Sequence, residues 1–245
     1  MEQKHKEKLL ARVKKLHTLY KTGKIKTLAK HEVNPGLETS SREQYLYFTL
    51  PPCLNFQRNS PAMWASALKT FQDSKTNYLF FPEKVVTKKR ATIQADLIKH
   101  KLALQQNKHT DIWITISTAL HRHYNSDPRE LLKTGNYNIP EILTLLQQTQ
   151  RKGFPYISGP KLSNYWLYIL SHFTDAKFKN MQEISIIPDT HVLNCTIHLG
   201  MAKPGVSPIE AAKLWKDLLH NSGITPAEMH AVLWNWSRDN FQPAV

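Results

Sequence analysis

The stretch EILTLLQQTQRKGFPYISGPKLSNYW, residues 141–166, decides the fold. Residues 141–148 form an amphipathic pattern, the segment from Gly153 to Gly159 interrupts it, and a second helical pattern opens at Pro160. The sequence therefore predicts a helix, a tight turn and a second helix. In such a turn, backbone N–H groups at the start of the second helix point outward, where they suit a phosphate group. That contact would hold a nucleic acid backbone without reading its sequence.

Helical signals continue on both sides of this stretch. At four places a side chain that can cap free amides precedes a proline that suits the first helical turn: Ser60-Pro61, Asp127-Pro128, Ser207-Pro208 and Thr225-Pro226. The last three are followed by Glu130, Glu210 and Glu228, which can reach back to the cap. Further helical patterns cover residues 88–107, 110–124, 139–150, 160–171 and 189–199, and strand alternation is limited to short pieces such as residues 183–187. The sequence therefore predicts an all-α fold.

The composition favours a polyanionic partner. The 245 residues include 33 Lys and Arg against 19 Asp and Glu, which gives a formal net charge of +14. Because binding to a polyanion releases counterions, nucleic acid is the first candidate. The longest apolar runs, such as residues 165–170, are far shorter than a bilayer span, so we expect no membrane partner. No signal-peptide pattern follows the basic N-terminus, which predicts an intracellular protein.

The sequence predicts neither a metal site nor a cofactor. Cys53 and Cys195 are too few for a disulfide framework or a four-cysteine metal site, and each is predicted to be a buried apolar thiol. The twelve His show no repeated ligand spacing. His121 and His123, for example, lie two positions apart, which does not place them on one helix face.

The N-terminal region predicts a basic amphipathic helix. Residues 2–31 carry many Lys residues together with Leu9, Val13, Leu16 and Tyr20 at helical spacing. This helix is either a solvated face over an apolar stripe or an arm that contacts phosphates. Asn34-Pro35-Gly36 then predicts a joint, so residues 1–35 are set apart from one helical domain of residues 36–245.

Two separated motifs resemble the helix-hairpin-helix DNA glycosylases, the superfamily of endonuclease III and 8-oxoguanine DNA glycosylase. Residues 154–161, FPYISGPK, look like the family's Leu-Pro-Gly-Val-Gly-x-Lys hairpin, with Gly159 on the second glycine and Lys161 on the Schiff-base lysine. Residues 186–192, IIPDTHV, are similar to the family's Val-Pro-Val-Asp-x-His-Val segment, with Asp189 on the catalytic aspartate. The order and the approximate spacing of the two motifs agree with the family.

The resemblance implies two helical subdomains that flank a cleft. It assigns the hairpin to residues 141–171, the catalytic aspartate segment to residues 183–199 and the C-terminal helices to residues 207–240. The sequence departs from the family at Ile157, which stands at the expected first glycine, and at Ser158, where a small apolar residue is usual. The alignment there can therefore slip by one position. The interval between the two motifs is longer than in endonuclease III, in the direction of the archaeal 8-oxoguanine glycosylases, and the cysteine-rich C-terminal cluster of many endonuclease III relatives is missing.

The resemblance also implies the catalytic roles. Asp189 would stabilise the positive charge that forms on the sugar when a base leaves, and Lys161 would attack the anomeric carbon as a free amine. Burial near Tyr165 and Trp166 would help Lys161 to lose its proton. The alternatives are that Asp189 is only a helix N-cap and that Lys161 only contacts phosphate. His191 is predicted to have a structural role.

Contacts to DNA and to the damaged base are predicted in three places. Ser158 and Gly159 would hold phosphate in the hairpin. The segment before the helix start at Ser60 looks like the polar segment that relatives insert into the duplex. The candidates for filling the gap or contacting the orphan base are therefore Asn55, Gln57, Arg58 and Asn59. The alternative is an ordinary connecting loop. One of Trp234, Trp236 and Phe241 would stack on the flipped base, and the alternative is that all three pack in the core.

Together these features predict a base-excision DNA glycosylase with AP lyase activity that removes an oxidised base, with 8-oxoguanine as the first candidate. The alternatives are a non-catalytic helix-hairpin-helix DNA-binding protein and a monofunctional glycosylase that uses Asp189 and water. The predicted partner is double-stranded DNA containing a damaged base, and the predicted oligomeric state is a monomer. The predicted location is the cytoplasm, associated with the nucleoid, or the nucleus in a eukaryote.

Overall fold

A computed structural model describes residues 3–27 and 33–245. Over these residues the chain is helical, as predicted, with twelve α-helices: α1 (Gln3–Lys21), α2 (Arg42–Thr49), α3 (Ser60–Gln72), α4 (Pro82–Val85), α5 (Arg90–Lys99), α6 (Gln106–His123), α7 (Pro128–Thr134), α8 (Ile139–Thr144), α9 (Pro160–Phe173), α10 (Thr190–His198), α11 (Pro208–Leu219) and α12 (Pro226–Arg238). No strand forms among these residues, and one isolated parallel bridge joins Asn138 to Lys179. The all-α prediction is confirmed.

Three of the four proline-marked helix starts are confirmed. Asp127, Ser207 and Thr225 are the N-caps of α7, α11 and α12, and each side chain accepts a hydrogen bond from a backbone N–H of the first turn. At Thr225 the capping box with Glu228 is complete. The fourth prediction is wrong by one residue, because Asn59 caps α3 by accepting the Ala62 N–H at 2.9 Å.

Two other segments also differ from the predicted pattern. The single helical pattern over residues 88–107 is divided between α5 and α6, and Lys101 in the connection has a positive φ of 59°, which no helix accommodates. Residues 183–187 do not form a strand, because no second strand pairs with them in the described chain. A short 3₁₀ helix, Met181–Glu183, is followed there by irregular backbone that leads to α10.

The chain forms two compact units, which we name by their positions in the sequence. The terminal unit comprises residues 1–29 and 181–245, and the central unit comprises residues 30–180. The sequence set residues 1–35 apart from one domain of residues 36–245. The structure instead groups α1 with the C-terminal helices, because its apolar face is buried there.

The core of the terminal unit includes both ends of the chain. Leu9, Val13 and Leu16 of α1 are at most 2% exposed and belong to the same apolar cluster as Trp215 and Trp236. Arg12 strengthens this attachment, since its guanidinium donates to the carbonyl groups of Leu199 and Val245, both at 3.3 Å. The helix therefore packs on its own unit through one face and leaves the other face to solvent.

Aromatic side chains dominate the core of the central unit. Trp166 of α9 is fully buried and donates its indole N–H to Thr49 of α2 at 3.0 Å. Phe48 of α2 stacks on Phe173 of α9, with ring centroids 4.6 Å apart. A buried indole whose N–H has a partner combines a large apolar contact area with a satisfied polar group. These contacts hold α9, the helix that carries Lys161, firmly against α2.

Both cysteines are buried free thiols, as predicted. Cys53 lies in the central unit and Cys195 in the terminal unit, and both are 0% exposed. Burial raises the pKa of each thiol well above its usual range, so each remains a protonated, unreactive group. None of the helices in residues 3–27 and 33–245 combines the length and the apolar character needed to cross a membrane.

Candidate nucleic-acid interface and catalytic residues

The predicted helix, turn and helix is present in the central unit. After α8 the chain continues as a π-helical turn, Leu145–Thr149, which closes when the Gln150 N–H donates to the Leu145 carbonyl at 2.7 Å. Residues 150–159 then form the turn, and α9 begins at Pro160. Gln147 donates its side-chain amide to Ser163 at 2.8 Å, which joins the two sides of the hairpin.

The phosphate-binding donors of this turn differ from those predicted. The Ser158 N–H donates to the Phe154 carbonyl at 3.0 Å, and the Gly159 N–H donates to the Tyr156 carbonyl at 2.9 Å. Both amides are therefore used inside the turn. Gly159 is the N-cap of α9 and provides no side-chain cap, so the amides of Lys161 and Leu162 begin the helix without one. These two amides replace Ser158 and Gly159 as the candidate donors to phosphate.

The residue with glycine-like backbone conformation is Tyr156, and not Ile157. Tyr156 follows Phe154-Pro155 and has a positive φ of 65°, in the left-handed region that glycine occupies without strain. The left-handed residue therefore lies one position before the place that the resemblance gives to the first glycine. The Tyr156 ring stacks on Phe56, with centroids 4.0 Å apart and planes at 11°. Lys108 lies above both rings, at 5.0 Å from Tyr156 and 4.9 Å from Phe56.

We expect Tyr156→Gly to be more stable than Tyr156→Ala by about 1 kcal/mol. Both variants lose the stack on Phe56, but only Gly relieves the strain of the positive φ. Urea denaturation of the two variants and of Tyr156→Phe, which keeps the ring, measures the difference. If the Ala variant is as stable as the Gly variant, the left-handed conformation at this residue is contradicted.

The polar segment before α3 contacts the protein itself at three of its four candidate residues. Asn59 caps α3, and Asn55 donates to Ser60 at 3.1 Å. Arg58 donates to the Leu102 carbonyl at 2.7 Å, so its guanidinium helps to fix the loop. Gln57, in the middle of this loop, is exposed and has a positive φ of 50°. Of the four candidates, we therefore retain Gln57 as the side chain predicted to enter the duplex.

A buried histidine lies beside this loop and was not singled out from the sequence. His109 is 1% exposed, and its Nδ1 accepts the Leu104 N–H at 3.2 Å, so the proton of the neutral ring is on Nε2. The Phe56 ring meets the imidazole edge to face, with centroids 5.1 Å apart. Burial, together with the positive charges of Arg58 and Lys108, lowers the pKa of His109 to about 4. The imidazole is therefore neutral at physiological pH.

We expect the protein to lose stability as the pH is lowered, because His109 then takes up a proton. Because the pKa of His109 is lower in the folded state, the unfolded chain binds a proton more readily between about pH 6.5 and pH 4. The stabilisation is fully present above that window and falls by about 1–3 kcal/mol across it. Urea denaturation at several pH values should show a flatter profile for His109→Gln, which keeps an acceptor for Leu104. An unchanged profile would exclude His109 as the titrating group.

Lys161 is the second residue of α9, and its side chain is exposed. It forms no ion pair with another residue in the described part of the chain. The predicted dry setting is not provided by its neighbours. Tyr165 accepts the Trp64 indole N–H at 3.1 Å, and Trp166 is directed to Thr49, so both rings take part in the core. The amine is available to a ligand but is not enclosed by these rings.

Asp189 is the N-cap of α10 in the terminal unit. Its Oδ1 accepts the Val192 N–H at 2.9 Å, and its Oδ2 accepts no hydrogen bond from the described residues. The local alternative, a capping aspartate, is therefore realised in the structure. Capping uses one oxygen only, so the position also presents a carboxylate oxygen at a helix start, and the capping role does not exclude a chemical one.

Aromatic and polar side chains of α12 lie beside this helix start. The His191 ring meets Trp234 edge to face at 5.5 Å, and its Nδ1 is 3.1 Å from the Ser237 hydroxyl. The Arg238 guanidinium lies 4.5 Å above the Trp234 ring. His191 lies two residues after Asp189, so these contacts connect the partly buried Trp234 and the Arg238 cation to the start of α10. His191 has the packing role that was predicted for it.

The other two aromatic candidates are differently placed. Trp236 is 1% exposed and donates its indole N–H to the Pro243 carbonyl at 3.0 Å, so it belongs to the core and we remove it from the proposed base pocket. Phe241 stacks on His198, with centroids 3.9 Å apart and planes at 8°. Phe241 also packs against the apolar core of the terminal unit. Trp234 is therefore our first candidate for stacking on a base, and Arg238 covers one face of its ring.

The candidate residues fall into the two units. Lys161 and Gln57 belong to the central unit, whereas Asp189 and Trp234 belong to the terminal unit. Among the residues that the structure describes, no three His, Cys, Asp or Glu side chains form a group that could hold a metal ion. A comparison with models of known protein families finds no match, and a comparison with curated protein sequences finds none either.

Proposed function

We propose that the protein is a DNA-repair glycosylase with AP lyase activity. The observation that supports this most is that each of the two motif residues, Lys161 and Asp189, lies at the start of a helix. The hairpin ends at an uncapped helix start with an exposed Lys161, and the second segment ends at a helix N-cap, Asp189, that keeps one carboxylate oxygen without a partner among the described residues. The partner is duplex DNA, in line with the net charge of +14.

In the proposed reaction Asp189 stabilises the positive charge that develops on the sugar as the bond between base and anomeric carbon breaks. Lys161, after loss of a proton, supplies the electron pair that forms a new bond to that carbon, and the base leaves with the electrons of the broken bond and takes up a proton. The nitrogen lone pair then expels the ring oxygen from the anomeric carbon, the oxygen takes up a proton, and a protonated imine to Lys161 forms. Removal of a proton from the adjacent sugar carbon then expels the 3′ phosphate by β-elimination.

Three further contacts to DNA are part of the proposal. The amides of Lys161 and Leu162 would bind a phosphate at the start of α9. Gln57, exposed in its loop, would fill the gap that a flipped nucleotide leaves. Trp234 would stack on the damaged base. The resemblance to the 8-oxoguanine glycosylases, which carry a stacking aromatic on the last helix, makes an oxidised purine the first substrate to test.

The test uses four labelled duplexes that contain 8-oxoguanine, thymine glycol, uracil or an abasic site, each incubated with and without borohydride. We expect base release and nicking on an oxidised-base duplex, and a covalent complex when borohydride reduces the imine. Failure to release any base would overturn the glycosylase proposal. Base release without a trapped complex on any duplex would leave a monofunctional glycosylase that uses Asp189 and water.

A second candidate function is a non-catalytic DNA-binding protein. It is favoured by two observations, namely that the turn amides of Ser158 and Gly159 are used internally and that Lys161 is exposed. The same experiment separates it from the enzyme, because such a protein would bind all four duplexes and change none of them.

A further inference from the structure

One face of α1 is a dense array of exposed lysines, which we call the α1 lysine face. Its members are all exposed and form no ion pair with other described residues: Lys4, Lys8, Lys14, Lys15 and Lys21. Between Gln3 and Lys21 the sequence contains a single acidic residue, Glu7. A solvated helix surface usually mixes the two signs of charge, whereas this face carries a net positive potential that Glu7 and Glu228, the latter near Lys21, offset only in part.

The array is ordered by the geometry of the helix. At about 100° per residue, Lys4, Lys8 and Lys15 lie within ~40° of one another and span about 16 Å along the axis. Lys14 and Lys21 form a second row beside them. The opposite face is anchored in the core of the terminal unit, so the lysines are presented on a fixed support.

We propose that the α1 lysine face binds the phosphate backbone of a nucleic acid, independently of the hairpin. About 16 Å of duplex, the length of the first row, carries roughly ten phosphates on its two strands, which is enough to offer one to each of Lys4, Lys8 and Lys15. Lysine contacts of this kind position the nucleic acid and do not read its sequence. The choice of duplex DNA as the ligand rests on the proposed function, whereas the charge and its presentation do not.

An anionic membrane is the other polyanion that a basic helix can bind. A helix that lies in the membrane interface buries its apolar face among the lipids. In α1 that face is already used, because Leu9, Val13 and Leu16 are at most 2% exposed in the core of the unit. The lysines are therefore left with electrostatic contacts alone, which suits a nucleic acid backbone.

The test compares two triple variants of equal charge. Lys4→Gln/Lys8→Gln/Lys15→Gln removes the first row, and Lys177→Gln/Lys203→Gln/Lys213→Gln removes three exposed lysines elsewhere. Binding to a short undamaged duplex is measured between about 50 mM and 200 mM salt. We expect the first variant to lose about 2–3 units of the slope of log affinity against log salt, at about 0.9 per phosphate contact, and the second to keep the wild-type slope. Circular dichroism checks that both are folded.

Equal slopes for the two variants would overturn the proposal. So would a first variant that binds the duplex like the wild type but no longer binds vesicles rich in anionic lipid. The failure of the glycosylase proposal is seen separately, as absence of base release by the wild type on damaged duplexes. In that case a lowered slope on undamaged duplex would still support the α1 lysine face.

Discussion

Replacing Asp189 with Asn should slow base release by about 10²-fold or more and leave the fold intact. The side chain caps α10 by accepting the Val192 N–H. Because Asn is about as good an N-cap as Asp, the amide oxygen keeps this hydrogen bond and the helix start. It carries no charge, however, and so cannot stabilise a sugar cation. Single-turnover base release from the damaged duplex that the wild type cleaves is the measurement.

Asp189→Ala is the matched variant for the structural role of the residue. It removes the cap and the charge together, so we expect it to lose about 1 kcal/mol of stability in addition to the activity. Urea denaturation of the three proteins separates the effects, since only the Ala variant should unfold earlier. If the Asn variant releases the base at the wild-type rate, Asp189 is a helix cap without a part in the chemistry.

Lys161→Gln should abolish the complex that borohydride traps on a duplex with an abasic site. An imine needs a primary amine, and the Gln amide does not form one. Gln is a good helix former and the position is exposed, so the change in stability should be within about 0.5 kcal/mol. Binding to the duplex should be largely retained. Electrophoresis after borohydride reduction, with binding measured in parallel, gives both results.

Lys152→Gln is the matched control for this experiment. Lys152 is an exposed lysine of the same hairpin turn, and its loss removes the same charge. We expect it to trap DNA like the wild type. If the Lys161 variant still forms the complex and nicks the duplex normally, another amine is the nucleophile, and Lys152 and the N-terminus are then the residues to test.

The sequence predicted best what depends on neighbouring residues. The caps at Asp127, Ser207 and Thr225 are confirmed because a cap needs only its own side chain and amides two or three residues away. The one-residue error at the start of α3 also has a local cause. Asn59 and Ser60 are adjacent, and either residue type can cap a helix.

The roles within the candidate site depended on contacts that sequence does not display. Nothing local separates Trp234 from Trp236, yet Trp234 is only partly buried beside His191, whereas Trp236 is fully buried with its indole N–H on Pro243. Likewise, Phe56 and Tyr156 stack although a hundred residues separate them. That contact covers the one residue of the turn whose backbone is strained.

By itself, then, the sequence determined that the chain is helical, where most helices begin and that both thiols are buried, because propensity, capping and apolar periodicity are local properties. Tertiary structure decided that α1 joins the C-terminal helices, which turn amides remain for a phosphate and which aromatic rings stay outside the core. These outcomes are set by packing between distant segments, in which the burial of one side chain determines the exposure of another.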